Sequence, residues 1–537
     1  MKCEFCGQEN AEESRFCEKC GAELKKPEGP DAGGTVQAAG AAVTKAADEA
    51  KKIISKIPKK ALIIGAAAVV VLILIIILVY ALQPAKYPSR KADISFLYYE
   101  DDEQTEVLVN GSALKTKIDG SVSSRQIAMD GTSAMALGED GTLYYVDTKE
   151  MTVVKEDVEG FILAATGKGA LYIDVDGAIW LYNCKNEKAE KIVEDAEVEA
   201  AVIAPDGASA AYATVEENDD GEQETEAFLY LKGESSSIGK NIMPVAMSNS
   251  GKYVYALNNE NELYVVPNGK EKEKLATDLS SGYIILNADH TQIGFATQDE
   301  RIYISDKGGE KVKLLNSPSC SPVAPTNTAV FYSYNTITYD IKTFGGNVVS
   351  MSDAVYYVDD KFETEKISNI DGSVIDGSVM ITDDGKTVVY KKNGDLYRTA
   401  VSKPEDAVKL ADDIVSFNMT SDGKKVYYIN EDEELWCKNG SSDSVKIADD
   451  VYNIVITSKD VALFLVDYSE TSMRGTLYSC KNGKDREKIA DDVGTVISRV
   501  KTAYYTVKDG DSTTVYVSQG DTKFTQIAED ATLSYIR

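Results

Sequence analysis

The pattern of apolar and polar positions splits the chain into one uninterrupted apolar stretch and a long series of short alternating ones. Ala61 to Leu82 reads ALIIGAAAVVVLILIIILVYAL, and no charged side chain lies between Lys60 and Lys86. At about 1.5 Å per residue this stretch makes a helix of roughly 33 Å, enough to cross a hydrocarbon core of about 30 Å. Core helices are rarely apolar on every side over so many turns. A cleaved signal peptide would lie at the extreme N-terminus with a shorter apolar region. The stretch therefore predicts a transmembrane helix over residues 61–82.

From residue 92 onward, apolar residues alternate over short runs separated by Gly, Asp and Asn, the pattern of half-buried strands joined by turns. A strand-turn-strand unit recurs as AMDGTSAMAL (128–137), IAPDGASAAY (203–212), MSNSGKYVYA (247–256), LNADHTQIGF (286–295), ITDDGKTVVY (381–390) and MTSDGKKVYY (419–428). A further strand follows, as in ELYVVPNGK (262–270), ELWCKNG (434–440) and TLYSCKNG (476–483). The unit closes with KIVEDA (191–196), KLATDL (274–279), KLADDI (409–414), KIADDV (446–451), KIADDV (488–493) and QIAEDA (526–531), the late copies starting 37, 42 and 38 residues apart.

Four short strands every forty residues or so is the period of a β-propeller blade. The fold class predicted is mainly β, with eleven or twelve such units, a small N-terminal zinc ribbon and one transmembrane helix. That number exceeds the four to eight blades usual in one ring, so two packed propellers are expected, over residues 92–317 and 318–537. The widest gap in the spacing, from Asn327 to Gly385, marks an irregular unit near their junction. One strand, Thr532 to Ile536, is left over at the C-terminus, while the first unit (Ile94 to Val122) lacks its innermost strand; pairing of the two would close a ring and cover an exposed edge.

The turn-strand motif, x-D-G-K-x-ϕ-x-Y in its clearest copies, resembles the TolB-like propeller repeat. The resemblance covers most of residues 92–537, with copies around 165–172, 322–334 and 457–466 lacking the Asp-Gly, and the family implies no single activity.

The opening, MKCEFCGQENAEESRFCEKCGAEL, carries Cys3 and Cys6 as one Cys-x-x-Cys pair and Cys17 and Cys20 as another. Four thiolates at this spacing suit one tetrahedral Zn²⁺ in a closed, structural site, and a module this small depends on the metal for its folding. A redox dithiol is disfavoured, because no βαβ pattern surrounds the pairs. Residues 1–24 resemble the short zinc ribbons at the N-termini of many bacterial membrane proteins, which implies a docking site for a protein partner. Residues 25–60 form a linker, flexible by composition over KKPEGPDAGG, with a possible Ala/Lys-rich helix from Val36 to Ile57.

Charge orients the chain. Lys45, Lys51, Lys52, Lys56, Lys59 and Lys60 precede the apolar stretch, against Lys86, Arg90 and Lys91 after it. This bias favours a cytoplasmic N-terminus, and reduced cysteines there agree with it. The segment from Pro84 holds 46 Lys or Arg against 77 Asp or Glu. Such acidity argues against a nucleic-acid partner, which requires a basic footprint.

Laid into a four-stranded blade, the turns between second and third strands and the links between blades share one face. That face receives Glu431 to Glu434, Glu260, Glu262, Glu139, Asp140 and the pairs Asp412–Asp413, Asp449–Asp450, Asp491–Asp492 and Glu529–Asp530. The opposite face receives Lys185, Lys188, Lys270, Lys272, Lys274, Lys438, Lys481 and Lys484. An acidic face would attract a cationic partner or divalent ions.

No catalytic constellation is legible. The single histidine, His290, occupies a turn position with no nucleophile to pair with it, and only Trp180 and Trp436 are present. DVDG (174–177) has the alternate carboxylates of a calcium loop, although a bare β-turn is the favoured reading. Cys184, Cys437 and Cys480 hold one place in three repeats, on different blades and therefore too far apart to bridge; with Cys320 they are expected to be unpaired. The sequence reads as a non-enzymatic, membrane-anchored binding, scaffold or sensor protein with an extracytoplasmic propeller. The alternative is a carboxylate-dependent, glycan-directed hydrolase of the cell envelope.

Overall fold

The computed structural model describes residues 91–534 apart from short stretches, most of them between 287 and 402. The expected zinc-ribbon cysteines, the linker, the apolar segment 61–82, Cys320 and the boundary at 317 lie outside the described residues. Among the described residues no helix is long and apolar enough to cross a membrane. Residues 84–537 are grouped as one compact unit, distinct from residues 1–83.

The described part is mainly β, built from four-stranded antiparallel meanders of the propeller kind. Repeat 9 shows the plan, with strands Ile414–Met419, Lys425–Asn430, Leu435–Asn439 and Val445–Ala448 pairing in sequence order. Eleven repeats are present among the described residues. Repeats 2 to 5 run over 122–155, 158–193, 197–240 and 243–276. Repeat 6 covers 279–316, repeat 7 covers 321–369 and repeat 8 covers 379–411. Repeats 10 and 11 share the strand Glu487–Ser498, which is the fourth of one and the first of the other.

Repeat 1 draws on both ends of the chain. Its last three strands are Ile94–Tyr99, Gln104–Val109 and Ser112–Asp119, and its innermost strand is Ala531–Ser534, with Leu97 opposite Leu533 and Tyr99 opposite Ala531. The left-over C-terminal strand thus pairs where the first unit lacks one. The irregular unit also falls within the long gap in spacing. In repeat 7 the first strand, Ser321–Ala324, is separated from the second, Asn347–Ser350, by a hairpin (Val330–Ser333, Thr336–Thr338) that pairs with Leu279–Leu286 of repeat 6. Residues 322–334 are therefore not a strand-turn-strand copy: their two strands join different sheets.

Neighbouring sheets bury their faces against each other. Tyr427, Ile429 and Leu435 of repeat 9 share one cluster with Ala462, Phe464 and Val466 of repeat 10. Between repeats 3 and 4 the approach is close enough to need glycine on both sides. A Cβ on Gly169 would lie 2.2 Å from the Gly207 carbonyl oxygen, and Gly207 itself has φ +73°.

The closing signature acquires a geometric reason in these sheets. Leu435 lies opposite Ala448 and Trp436 opposite Lys446, so Ile447 is the extra residue of a β-bulge. The same shift recurs at Leu263/Tyr264, Leu396/Tyr397, Leu477/Tyr478 and Val515/Tyr516. In each copy the Lys or Gln of the signature pairs with an aromatic residue. The bulge lets both following apolar residues lie against the neighbouring sheet.

Candidate binding face

The acids at the end of the signature have two separate tasks. The first is an ion-pair partner for the lysine three residues earlier. Lys446 Nζ is 2.5 Å from Asp449 and Lys488 Nζ is 2.7 Å from Asp491, while Lys409 pairs with Asp412. The second acid turns the chain into the next repeat in the left-handed region, with φ 47° at Asp413 and 55° at Asp450 and Asp492. Asp tolerates this conformation better than most residues.

Backbone hydrogen bonds fix where these links lie. Ile414 N donates to Gly394 O at 2.7 Å, and Glu431 N donates to Asp413 O at 3.1 Å. Each link is thus held between the second-to-third-strand turns of the repeats before and after it. Val451 N with Glu433 O (2.8 Å) and Asp467 N with Asp450 O (3.0 Å) repeat the arrangement. These turns and links share a face, and Glu431, Asp432, Glu433, Asp413, Asp450, Asp492 and Asp530 are exposed on it. Glu100 to Glu103 in repeat 1 and Glu139 and Asp140 in repeat 2 are exposed in equivalent turns. Tyr452, the bulge residue at the start of repeat 10, is 55 % exposed beside these acids and stacks on Tyr468 with ring centroids 4.0 Å apart.

Three of the expected side chains belong elsewhere. Glu262 and Glu434 are not free acids: Glu262 binds Lys274 at 2.6 Å, accepts from Tyr264 Oη at 2.6 Å and accepts from Asn258 Nδ2 at 2.8 Å. Glu434 repeats the set with Lys446, Trp436 Nε1 and Asn430 Nδ2. Lys274 is accordingly no part of the lysine-bearing face, because its strand carries it alongside Tyr264 and back to Glu262. The shared pattern Asn-x-x-x-Glu-x-(Tyr/Trp) is a signal that sequence comparison had available.

The opposite face is laced by contacts between successive first-to-second-strand turns. Met129 N donates to Ala165 O (2.9 Å), Thr166 N to Pro205 O (3.1 Å) and Ser421 N to Asp460 Oδ1 (2.9 Å). His290 sits in this series, fully buried, with Nδ1 3.0 Å from Met247 O. At the seam between repeats 11 and 1 the turn is replaced by buried Asp93, whose Oδ2 accepts from Lys501 N (2.6 Å), Thr502 N (2.9 Å) and Thr502 Oγ1 (2.9 Å). No sequence pattern marks Asp93, since its partners are some four hundred residues away.

The calcium reading of DVDG does not survive the geometry. Asp174 is buried and saturated by donors: Ala178 N at 3.0 Å and Asp176 N at 3.2 Å on Oδ1, and Trp180 Nε1 at 2.7 Å on Oδ2. Among the described residues, no group of three His, Cys, Asp or Glu side chains is arranged to hold a metal ion. Cys184, Cys437 and Cys480 are free. Cys437 and Cys480, from repeats 9 and 10, lie unbridged in one cluster with Tyr427.

Every carboxyl whose titration is clearly displaced among the described residues is displaced downward. The Lys274 ammonium holds Glu262 down to about 2. Asp422, although pushed up by burial, is held at about 2 by Lys424. Asp395, Glu434 and Asp491 are lowered first of all by Lys409, Lys446 and Lys488. A carboxyl depressed in the folded state stabilises it above the unfolded value of about 4 to 4.5 and loses that contribution as pH falls through the folded value. The urea midpoint is expected to hold from pH 7 to about 5 and to decline between about pH 4.5 and 2, less steeply in a Lys274→Met, Lys446→Met double variant. A pH-independent midpoint over that window would contradict this.

Residues 2–24 match the model of a zinc-ribbon domain. No curated protein matches the chain. Among solved structures it is similar to Porphyromonas gingivalis dipeptidyl peptidase 4, at 14% identity and TM-score 0.30, over 67% of this chain and 57% of that one. It is similar to the tricorn protease at 13% identity and TM-score 0.25, over 83% and 63%. An oligogalacturonate lyase from Vibrio parahaemolyticus is similar at 12% identity and TM-score 0.27, over 65% and 96%. The chain thus spans 57% and 63% of the first two proteins. Likeness at this level carries no argument about what the chain binds or acts on.

Proposed function

We propose that this chain is a single-pass membrane-anchored binding or scaffold protein whose extracytoplasmic repeats, of TolB-like type, present an acidic face to a cationic protein partner. The observation that carries the proposal is the gathering of exposed acids from links and turns of successive repeats onto one face. Field focusing over such a face raises the local concentration of basic groups, and exposed Tyr452, stacked on half-buried Tyr468, adds a surface suited to cation–π contact. The polypeptide enters the repeats at Lys91, whose amide donates to Asp130 O at 2.6 Å among the turns of the opposite face.

The last strand completes the first sheet and Asp93 joins repeats 11 and 1, a closure that one large ring or two packed rings would share. Anchoring rests on the apolar stretch 61–82 and its lysine-rich N-terminal flank. The alternative, a carboxylate-dependent hydrolase, would need one carboxyl held protonated near neutral pH.

The test uses the full chain in detergent against a lysine decamer and a glutamate decamer as probes. Binding of the lysine probe is expected, weakening about tenfold when Glu431, Asp432 and Glu433 are replaced by lysine. Replacement of Lys481 and Lys484 by glutamate on the other face should leave it within about twofold. Equal effects from the two sets, or equal binding of both probes, would overturn the proposal.

At the N-terminus, Cys3, Cys6, Cys17 and Cys20 are assigned as the ligands of one structural Zn²⁺, with a cytoplasmic protein as the ribbon's partner. Chelation is expected to remove one zinc per chain and collapse the amide dispersion of residues 1–24. Dispersion retained in excess chelator would refute the assignment.

A further inference from the structure

Tyr452 is the extra residue of the β-bulge that opens the first strand of repeat 10, Val451–Ile456, and Val415 holds the same place in repeat 9. A bulge re-aims the side chain it carries, and both residues point away from the packed sheets, Val415 54% and Tyr452 55% exposed. Tyr468, near the end of the second strand of repeat 10, backs the Tyr452 ring with the planes 12° from parallel. One face of the Tyr452 ring is therefore covered and the other is open. The hairpin carrying Tyr468 continues to Met473, 58% exposed in the turn before the third strand. Acids flank this apolar surface. Asp450 lies two residues before Tyr452 and Asp467 immediately before Tyr468, both exposed, and the Asp467 amide donates to Asp450 O at 3.0 Å. Asp449 and Asp491 hold lysines, whereas Asp450 and Asp467 are in no ion pair among the described residues.

Elsewhere the chain lays its own cations over rings of this kind. Lys117 Nζ lies 5.2 Å from the Tyr99 centroid, Lys191 Nζ 5.0 Å from that of Trp180 and Lys272 Nζ 5.1 Å from that of Tyr264. Arg486 Cζ lies 4.8 Å from the Tyr478 centroid. Tyr452 is the one exposed aromatic residue among the described residues, and among them no Lys or Arg covers it. A cation from outside the chain fits there.

We propose that the open face of Tyr452 seats an arginine side chain of the protein partner, so that the acidic face selects arginine over lysine. The inference rests on the reading of that face as the docking surface for a cationic protein, and it names the group that docks. A guanidinium is planar, stacks on aromatic faces and is more weakly hydrated than an ammonium. Lying flat on the ring, it keeps its N–H edge for the surrounding carboxylates. A lysine ammonium feels the same field but remains a hydrated point charge and gains less from the ring. Val415 and Met473 offer contact to apolar residues beside that arginine.

The experiment uses the full chain in detergent and two fluorescent probes, the lysine decamer and the same peptide with its central lysines replaced by arginine, compared by anisotropy. The arginine peptide is expected to bind about fivefold tighter. In Tyr452→Ala the two affinities should come within about twofold of each other, while that of the lysine decamer stays close to its parent value. Tyr452→Phe, which keeps the ring and loses only the hydroxyl, should retain the preference. Circular dichroism checks that both variants are folded. Equal affinity of the parent for the two peptides, a preference that survives Tyr452→Ala, or one that is lost in Tyr452→Phe would overturn the arginine seat and leave the acidic binding face standing. Binding of neither peptide would overturn both.

Discussion

Removal of residues 531–537 is expected to cost the repeat region about 4 kcal/mol and to make it self-associate. The strand Ala531–Ser534 pairs with Ile94–Tyr99 over four residues, and each backbone hydrogen bond contributes about 1 kcal/mol net. Ala531 is buried and Leu533 packs against the cluster containing Leu97 and Tyr504. Returning an apolar side chain of that size to water costs a further 1.5 kcal/mol or so. The deletion also uncovers the edge of Ile94–Tyr99, whose first four residues are buried. An open apolar edge recruits strands from other chains. Size-exclusion chromatography should show oligomers, and the thermal midpoint should fall by several degrees. A monomeric truncation with an unchanged midpoint would show that the first sheet does not need the last strand.

Asp93→Ala is expected to destabilise the same seam by about 2–4 kcal/mol. One carboxylate oxygen accepts from two backbone amides and a hydroxyl of repeat 11, and hydrogen bonds to charged acceptors contribute more than neutral ones. Alanine leaves Thr502, which is wholly buried, with an amide and a hydroxyl unsatisfied. Asp93→Asn preserves shape and one acceptor and should recover part of the loss. Hydrogen exchange offers a local reading. Amides of Ile94–Tyr99 and Ala503–Asp509 should exchange faster in the alanine variant, while those of repeats 3 to 5 stay protected. Uniform acceleration would place the defect elsewhere, and no acceleration would deny the clasp.

The repeat was legible because each of its positions answers a local requirement. Lys446 must reach Asp449, Ile447 must bulge and Asp450 must turn left-handed, so K-I-A-D-D recurs with its spacing intact. The sharing of one face by links and turns followed from strand order alone. The fate of Glu262, Glu434 and Lys274 did not follow, because a lysine at mid-strand and a carboxylate at a turn look equally exposed until a register brings them together. The aromatic residue two places after each of these glutamates carried that information in a form recognisable only once the bulge was seen.

By itself the sequence determined the period, the strand content, the Cys-x-x-Cys pairs, the charge-free stretch at 61–82 and the need of the first unit for a strand from the other end. These depend on spacing and composition within about forty residues. Only the tertiary structure decided that Asp93 closes the seam, that Asp174 is saturated by donors and that Cys437 and Cys480 meet at Tyr427. Those contacts join residues on different strands or in different sheets, and their distances are set by how the sheets pack rather than by any interval along the chain.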